Sequence, residues 1–191
     1  ANAKLGPIVR RARRRPIRVG YFSADYCNHA TSHLMAELFE RHDRSRVEVI
    51  GISFGRQIDD AMRMRVSTAF DTFVDVRQKT ELEIAQLLIQ KGAEVHKRGW
   101  TPLHYAATKG HIQMMRLLME NDAYLDAESP NGTTPLMMAA RSGHTAVVKL
   151  LLEEGADPTL KNEADMVAAD FARAQGFKDL ARFLDDKAWV H

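Results

Sequence analysis

The spacing of apolar residues changes once along this chain. Up to Val76 they come in short blocks rich in β-branched and aromatic residues: Ile17-Arg-Val-Gly-Tyr-Phe-Ser23, Val47-Glu-Val-Ile-Gly-Ile-Ser-Phe54 and Thr72-Phe-Val-Asp-Val76. Blocks of that length and make-up predict short, mostly buried strands. Between them, Ser32–Arg41 and Asp59–Phe70 read as helices, with Asp59 or Asp60 available as a cap for the second. Strands alternating with helices predict a small three-stranded parallel α/β unit, a Rossmann-like half, with right-handed crossovers. From Leu82 onward apolar pairs recur at helical spacing, which predicts an all-α second part.

That second part repeats itself. Thr101-Pro-Leu-His-Tyr-Ala-Ala-Thr-Lys-Gly-His111 returns 33 residues later as Thr134-Pro-Leu-Met-Met-Ala-Ala-Arg-Ser-Gly-His144. Each copy continues into an apolar helical run, Met114–Leu118 or Val147–Leu151, and then a turn. Threonine followed by proline suits the first turn of a helix, where a hydroxyl caps orphan N–H groups and the missing proline donor costs nothing. Gly110 and Gly143 stand where the first helix ends and a positive φ is expected. Period and motif together resemble the ankyrin repeat, a solenoid family. The resemblance implies recognition of another protein rather than chemistry. It also implies that His104 hydrogen-bonds between neighbouring turns, while His111 and His144 read as turn residues. Met137 is expected in the core and Met138 outside it, beside Tyr105.

The same register reaches Val167–Gly176 and Phe177–Leu184, which read as a capping repeat. Backward it reaches Leu82–Ala93, which looks like the second helix of a repeat without its first. The step from Gly92 to Thr101 is 9 residues, against 12 from Gly155 to Val167, so the first hairpin is three residues short. The expected organisation is a basic linker at 1–16, the α/β unit at 17–80 and repeats at 81–191. The repeats divide into a half-repeat at 81–97, full repeats at 98–130 and 131–163, and a cap at 164–191. The helix at 81–91 fits both parts, as a third crossover and as the closing helix of a truncated repeat. A natural or engineered chimera would have such a junction.

A second resemblance lies in the α/β part. Tyr21-Phe-Ser-Ala-Asp25, Asn28-His-Ala-Thr-Ser-His-Leu-Met35, Glu37-Leu-Phe-Glu-Arg-His42, Phe54-Gly55 and Phe73-Val-Asp-Val-Arg77 are similar to the start of the catalytic region of O-linked N-acetylglucosamine transferases, bacterial ones included. It covers roughly residues 10–90, and it implies an active-site position with an acid–base role for His29. Those enzymes also use a second α/β domain to grip the nucleotide sugar, and nothing after residue 90 matches it. A transfer site positions both partners together, so no enzyme activity and no cofactor are expected. Cys27, His29 and His33 could be weighed as three metal ligands. With His29 in the strand-to-helix loop and Thr31 or Ser32 capping the helix, the structural reading prevails and no metal is expected.

Charge separates the parts further. Residues 1–80 hold 15 Lys and Arg against 9 Asp and Glu, and residues 81–191 hold 12 against 16. The Arg10–Arg18 cluster reads as a solvated linker, so nucleic acid is not the expected partner. No apolar run approaches membrane-spanning length, and a single Cys27 precludes an internal disulfide. A cytoplasmic location is the expectation. The surface expected to meet a protein partner combines Lys97, Arg98, Trp100, Tyr105, Thr108, Lys109, Asn131, Thr133, Met138, Arg141 and Ser142. The first strand of the sheet is expected to be an open edge. It would favour self-association or be covered by the N-terminal segment.

Overall fold

The computed structural model describes residues 16–56, 58–96 and 99–188. The basic segment before Pro16, and Lys97 and Arg98 of the expected partner surface, lie outside the described residues. The chain divides between Lys79 and Thr80 into two compact units.

The first unit runs β1 (Ile17–Ser23), α1 (Ala30–Glu40), β2 (Val47–Ser53), α2 (Ala61–Thr68) and β3 (Thr72–Asp75). Its sheet is wholly parallel in the order β1-β2-β3, with Ile17 opposite Val47 and Ser53 opposite Asp75. Alternate residues Tyr21, Val47, Val49 and Phe73 turn toward Ala36, Phe39, Met62 and Val66 of the helices. Aromatic rings fill this layer. Centroids lie 4.9 Å apart for Tyr21 and Phe39, 4.8 Å for Phe39 and Phe70, and 5.4 Å for Tyr26 and Phe73. Gly51 makes room for them, since a Cβ there would sit 2.6 Å from the Phe70 ring. The Arg44 guanidinium donates to Phe39 O at 2.9 Å and also to Ala69 O, satisfying carbonyls near the ends of both helices.

The start of α1 differs from the sequence expectation. Ser32 was expected to cap or open this helix, but the helix begins at Ala30 with His29 as its cap. The imidazole Nδ1 accepts from Thr31 N at 3.3 Å. The Ser32 hydroxyl turns back instead to Asp25 O and is buried. Asp60 caps α2, accepting from Arg63 N at 2.7 Å.

The second unit begins with α3 (Glu81–Gln90), opened by a capping box in which Thr80 N donates to Glu83 at 2.7 Å. Three helix pairs follow: α4 (Pro102–Lys109) with α5 (Ile112–Glu120), α6 (Pro135–Arg141) with α7 (Thr145–Glu153), and α8 (Ala168–Ala174) with α9 (Lys178–Ala188). First helices stack α4 on α6 on α8. Buried Ala106, Ala107, Ala139, Ala140, Ala168 and Ala169 bring them close, while Leu118, Leu150, Leu151 and Leu184 of the second helices close the core.

His104 joins successive repeats. Its Nδ1 accepts from Thr101 N at 3.2 Å and Nε2 donates to Thr133 O at 2.8 Å, which makes it the neutral Nε2–H tautomer. Burial pushes its pKa below the ordinary imidazole value. His144 is more than a turn residue: it stands at the N-terminal boundary of α7 without a side-chain capping bond, and its Nε2 meets Thr108 O of the preceding repeat at 3.0 Å. Its ring occupies the space that a Cβ on Gly110 would need. One repeat later, Phe177 sits against Gly143 in the same way.

Candidate functional site

Two places gather chemistry-bearing side chains, one in each unit. In the α/β unit it is the edge where all three strands end, the usual location of ligand sites in parallel sheets. Ser23, Ser53 and Asp75 stand in one row there. Arg63, on α2, crosses beneath them. It reaches Asp75 Oδ2 at 3.0 Å, Ser53 Oγ at 3.3 Å and Tyr26 O at 3.4 Å, and lies 5.3 Å from the Phe73 centroid. Arg77 Nε donates to the same carboxylate at 2.8 Å, and Arg77 with Arg63 holds Asp75 below the usual carboxylate range. A carboxylate so paired is an anchor rather than a proton acceptor. Asp60 also accepts from Asn28 N at 2.7 Å, which ties the β1–α1 loop to α2. Backbone donation from Arg63 and then Asn28 lowers its pKa.

His29 is exposed at this edge with Asp25 Oδ2 3.9 Å from its Nδ1. Because Nδ1 serves the helix cap, the neutral ring carries its proton on Nε2 and presents a donor. His33 Nε2 meets Asn28 Oδ1 at 2.8 Å, and Cys27 is half-buried. His29 and His33, weighed together with Cys27 as metal ligands, thus have separate engagements. Among the described residues, no group of three or more His, Cys, Asp or Glu side chains is gathered for a metal. The hollow beside this edge, lined by Tyr21, Ser23, Tyr26, Thr31 and Met35, holds about 120 Å³.

In the repeat unit, Trp100 is 41% and Tyr105 62% exposed. The Trp100 ring meets His104 edge-on at 5.3 Å and lies 6.4 Å from Tyr105. Lys109, Asn131 and Arg141 are exposed, whereas Thr108, Met138 and Ser142 are half-buried. Thr133 must be struck from the partner surface, because it is 3% exposed. Its N–H donates to Ser129 Oγ at 3.0 Å and its carbonyl receives His104, so the hairpin uses both of its backbone groups. Met138 shares only part of the exposure expected for it beside Tyr105. Sequence reasoning passed over a cleft of about 340 Å³ lined by Val95, His96, Thr101, Tyr124, Glu128 and Ser129. One signal was available: Tyr124, 64% exposed, falls 33 residues before Asp157, an aromatic ring where the next copy has a carboxylate.

Comparison with known proteins gives the two parts separate relatives. The family described as ankyrin repeats (3 copies) matches residues 74–162, and glycosyl transferase family 41 matches residues 8–97. The chain therefore carries ankyrin repeats and a glycosyl-transferase-like region. A probable UDP-N-acetylglucosamine–peptide N-acetylglucosaminyltransferase of Arabidopsis thaliana is 30% identical over 89 residues, 47% of this chain and 9% of that protein. Its counterpart in Caenorhabditis elegans is 40% identical over 62 residues, 32% of this chain and 5% of that protein. Human protein phosphatase 1 regulatory subunit 27 is 41% identical over 54 residues, 27% of this chain and 35% of that protein. The chain spans less than a tenth of either transferase. Among the described residues, no helix is long and apolar enough to cross a membrane.

Proposed function

We propose that the chain is a non-catalytic scaffold that binds a protein partner through its ankyrin repeats. One observation carries the reading: Trp100 and Tyr105 form an exposed aromatic pair at the start of and on α4, with Lys109 and Arg141 exposed on successive first helices. Aromatic and arginine side chains in such settings dominate binding energy. A relative named as a regulatory subunit supports the same use of the repeats. The bounds proposed from the sequence, 17–80 and 81–191, serve as the working domains, and a chimeric origin and cytoplasmic setting belong to the same reading. Affinity capture with the wild-type chain and with Trp100→Ala/Tyr105→Ala tests it. The double variant should keep its helical signal and lose the proteins that the wild type retains; an unchanged set of captured proteins would sink the reading.

A transferase fragment is the second reading, favoured by the family 41 match and by His29 at the strand ends. Two features weigh against it: the hollow there is below the roughly 300–1,000 Å³ of small-molecule sites, and the His29 lone pair is taken up by the cap. Calorimetry with UDP-N-acetylglucosamine separates the readings, since binding tighter than about millimolar would lift the transferase. Self-association through the first strand of the sheet is a further part of the proposal, independent of the repeat surface.

A further inference from the structure

The first helices of the repeat unit start in one register. Their N-caps are Thr101, Thr134 and Val167, each 33 residues after the last. Because α4, α6 and α8 stack in that order, residues equally far from these caps fall in rows across the stack. Tyr105, Met138 and Phe171 form such a row, with Tyr105 exposed and the other two half-buried. Two rings and a thioether thus line up across the unit. Lys109 comes four residues after Tyr105, and Arg141 three after Met138, so each cation shares a helix face with the row.

The charge beside this row has one sign. Neither α4 nor α6 contains a carboxylate, and both Lys109 and Arg141 are exposed. Every Asp and Glu of the chain falls among the described residues, and among these none forms an ion pair with Lys109 or Arg141. On α8, by contrast, Arg173 is held by Asp170 at 2.5 Å and Asp185 at 2.9 Å. The second helices mix both signs, with Arg116 and Glu120 on α5 and Lys149 and Glu153 on α7. Resting on the scaffold reading and deepening it, we propose that the partner is an acidic and apolar protein segment lying across α4, α6 and α8. Its apolar side chains cover the Tyr105–Met138–Phe171 row, and its carboxylates meet Lys109 and Arg141. A basic segment would set like charges together, and a neutral one would desolvate two cations without replacing their water. Packed helices lie about 8–10 Å apart and extended chain advances about 3.3 Å per residue, so about every third residue of an extended segment meets the row. Its carboxylates belong over α4 and α6, because Arg173 already has its own.

Selection of random displayed peptides of about 12 residues, long enough to cross three helices, on the immobilised full chain reads this chemistry. Retained sequences should be rich in Asp and Glu, with Leu, Phe or Trp at intervals of about three. A synthetic copy of the most frequent one should bind about tenfold or more weakly to Lys109→Glu/Arg141→Glu, and selection on that variant should turn toward Lys and Arg. Lys109→Gln/Arg141→Gln, which adds no charge to the helix ends, should remove most of the salt dependence of binding. Met138→Ser should weaken binding without changing the preference for acidic sequences. Retained sequences that are neutral or basic, or acidic ones indifferent to both charge variants, would overturn the acidic partner. So would a selection no different from that on the bare support. The scaffold reading itself would still stand or fall on the Trp100→Ala/Tyr105→Ala capture.

Discussion

The α/β unit and the repeat unit bury apolar surface by different means. Among the described residues, the core on the helix side of the sheet has 7 buried members, and Tyr26, Phe39 and Phe70 supply its bulk. The core of the repeat unit has, among the described residues, 22 buried members, none aromatic and nearly half of them alanine. In the first unit a few rings make contacts that occur once. In the second, small side chains let helices stack at the same step again and again, each repeat touching its neighbours. A single substitution should therefore be felt differently in the two units.

Phe70→Ala sharpens this contrast most. It removes the ring that contacts Tyr26, Phe39 and Phe73 and seats on Gly51, and a cost of about 3–5 kcal/mol is expected. Tyrosine fluorescence and near-ultraviolet circular dichroism should report loss of the α/β unit, while most of the helical signal persists. Simultaneous loss of both signals would mean that the two units do not melt separately.

Gly143→Ala is the matching test in the repeats. Gly143 has φ 71°, and an added Cβ would come within 2.5 Å of the Phe177 ring. A cost of about 1–3 kcal/mol is expected from the backbone conformation and the displaced ring. Because neighbour contacts carry the array, the loss should concentrate in the C-terminal helices α8 and α9, as amide exchange would show. Uniformly faster exchange along the whole unit would instead mark the array as a single cooperative block.

The smallest expected effect is a pH slope confined to the repeats. His104 is held neutral, with its folded pKa below the ordinary 6.5 because the ring is buried. As pH falls through 6.5, the unfolded chain takes up a proton that the folded chain resists. Stability from this group is thus complete above that value and declines as pH drops toward the folded pKa. Urea midpoints of the repeat unit should decrease between about pH 7 and pH 5, and His104→Gln should flatten that part of the slope.

Much of this was legible in the sequence because it is local or periodic. The three strands, an aspartate cap at Asp59 or Asp60, the glycine turns and the 33-residue repeat each follow from spacing or backbone chemistry, which a linear string records. The start of α1 was misplaced because Thr31 and Ser32 are better caps by residue type than histidine. Ser32 is instead drawn away to a carbonyl seven residues earlier, a contact set by the loop's path. Thr133 was misassigned because hydroxyl residues at hairpins usually face water, whereas here both backbone groups of Thr133 are spoken for and its side chain is buried. The cleft beside Tyr124 needs two segments far apart in sequence to be placed side by side.

The amino-acid order by itself determined that the chain has two parts, which elements each contains, and the family resemblance of each. Those properties rest on hydrophobic period, turn residues and recurring motifs, all expressed within a few residues or at a fixed step. Only the tertiary structure decided that Asp75 is neutralised between Arg63 and Arg77, that the His29 cap uses Nδ1, and that Asp60 holds Asn28 N of the β1–α1 loop. Each of these depends on which backbone passes beside which, and that is settled by packing and hydrogen-bond geometry between segments distant in sequence.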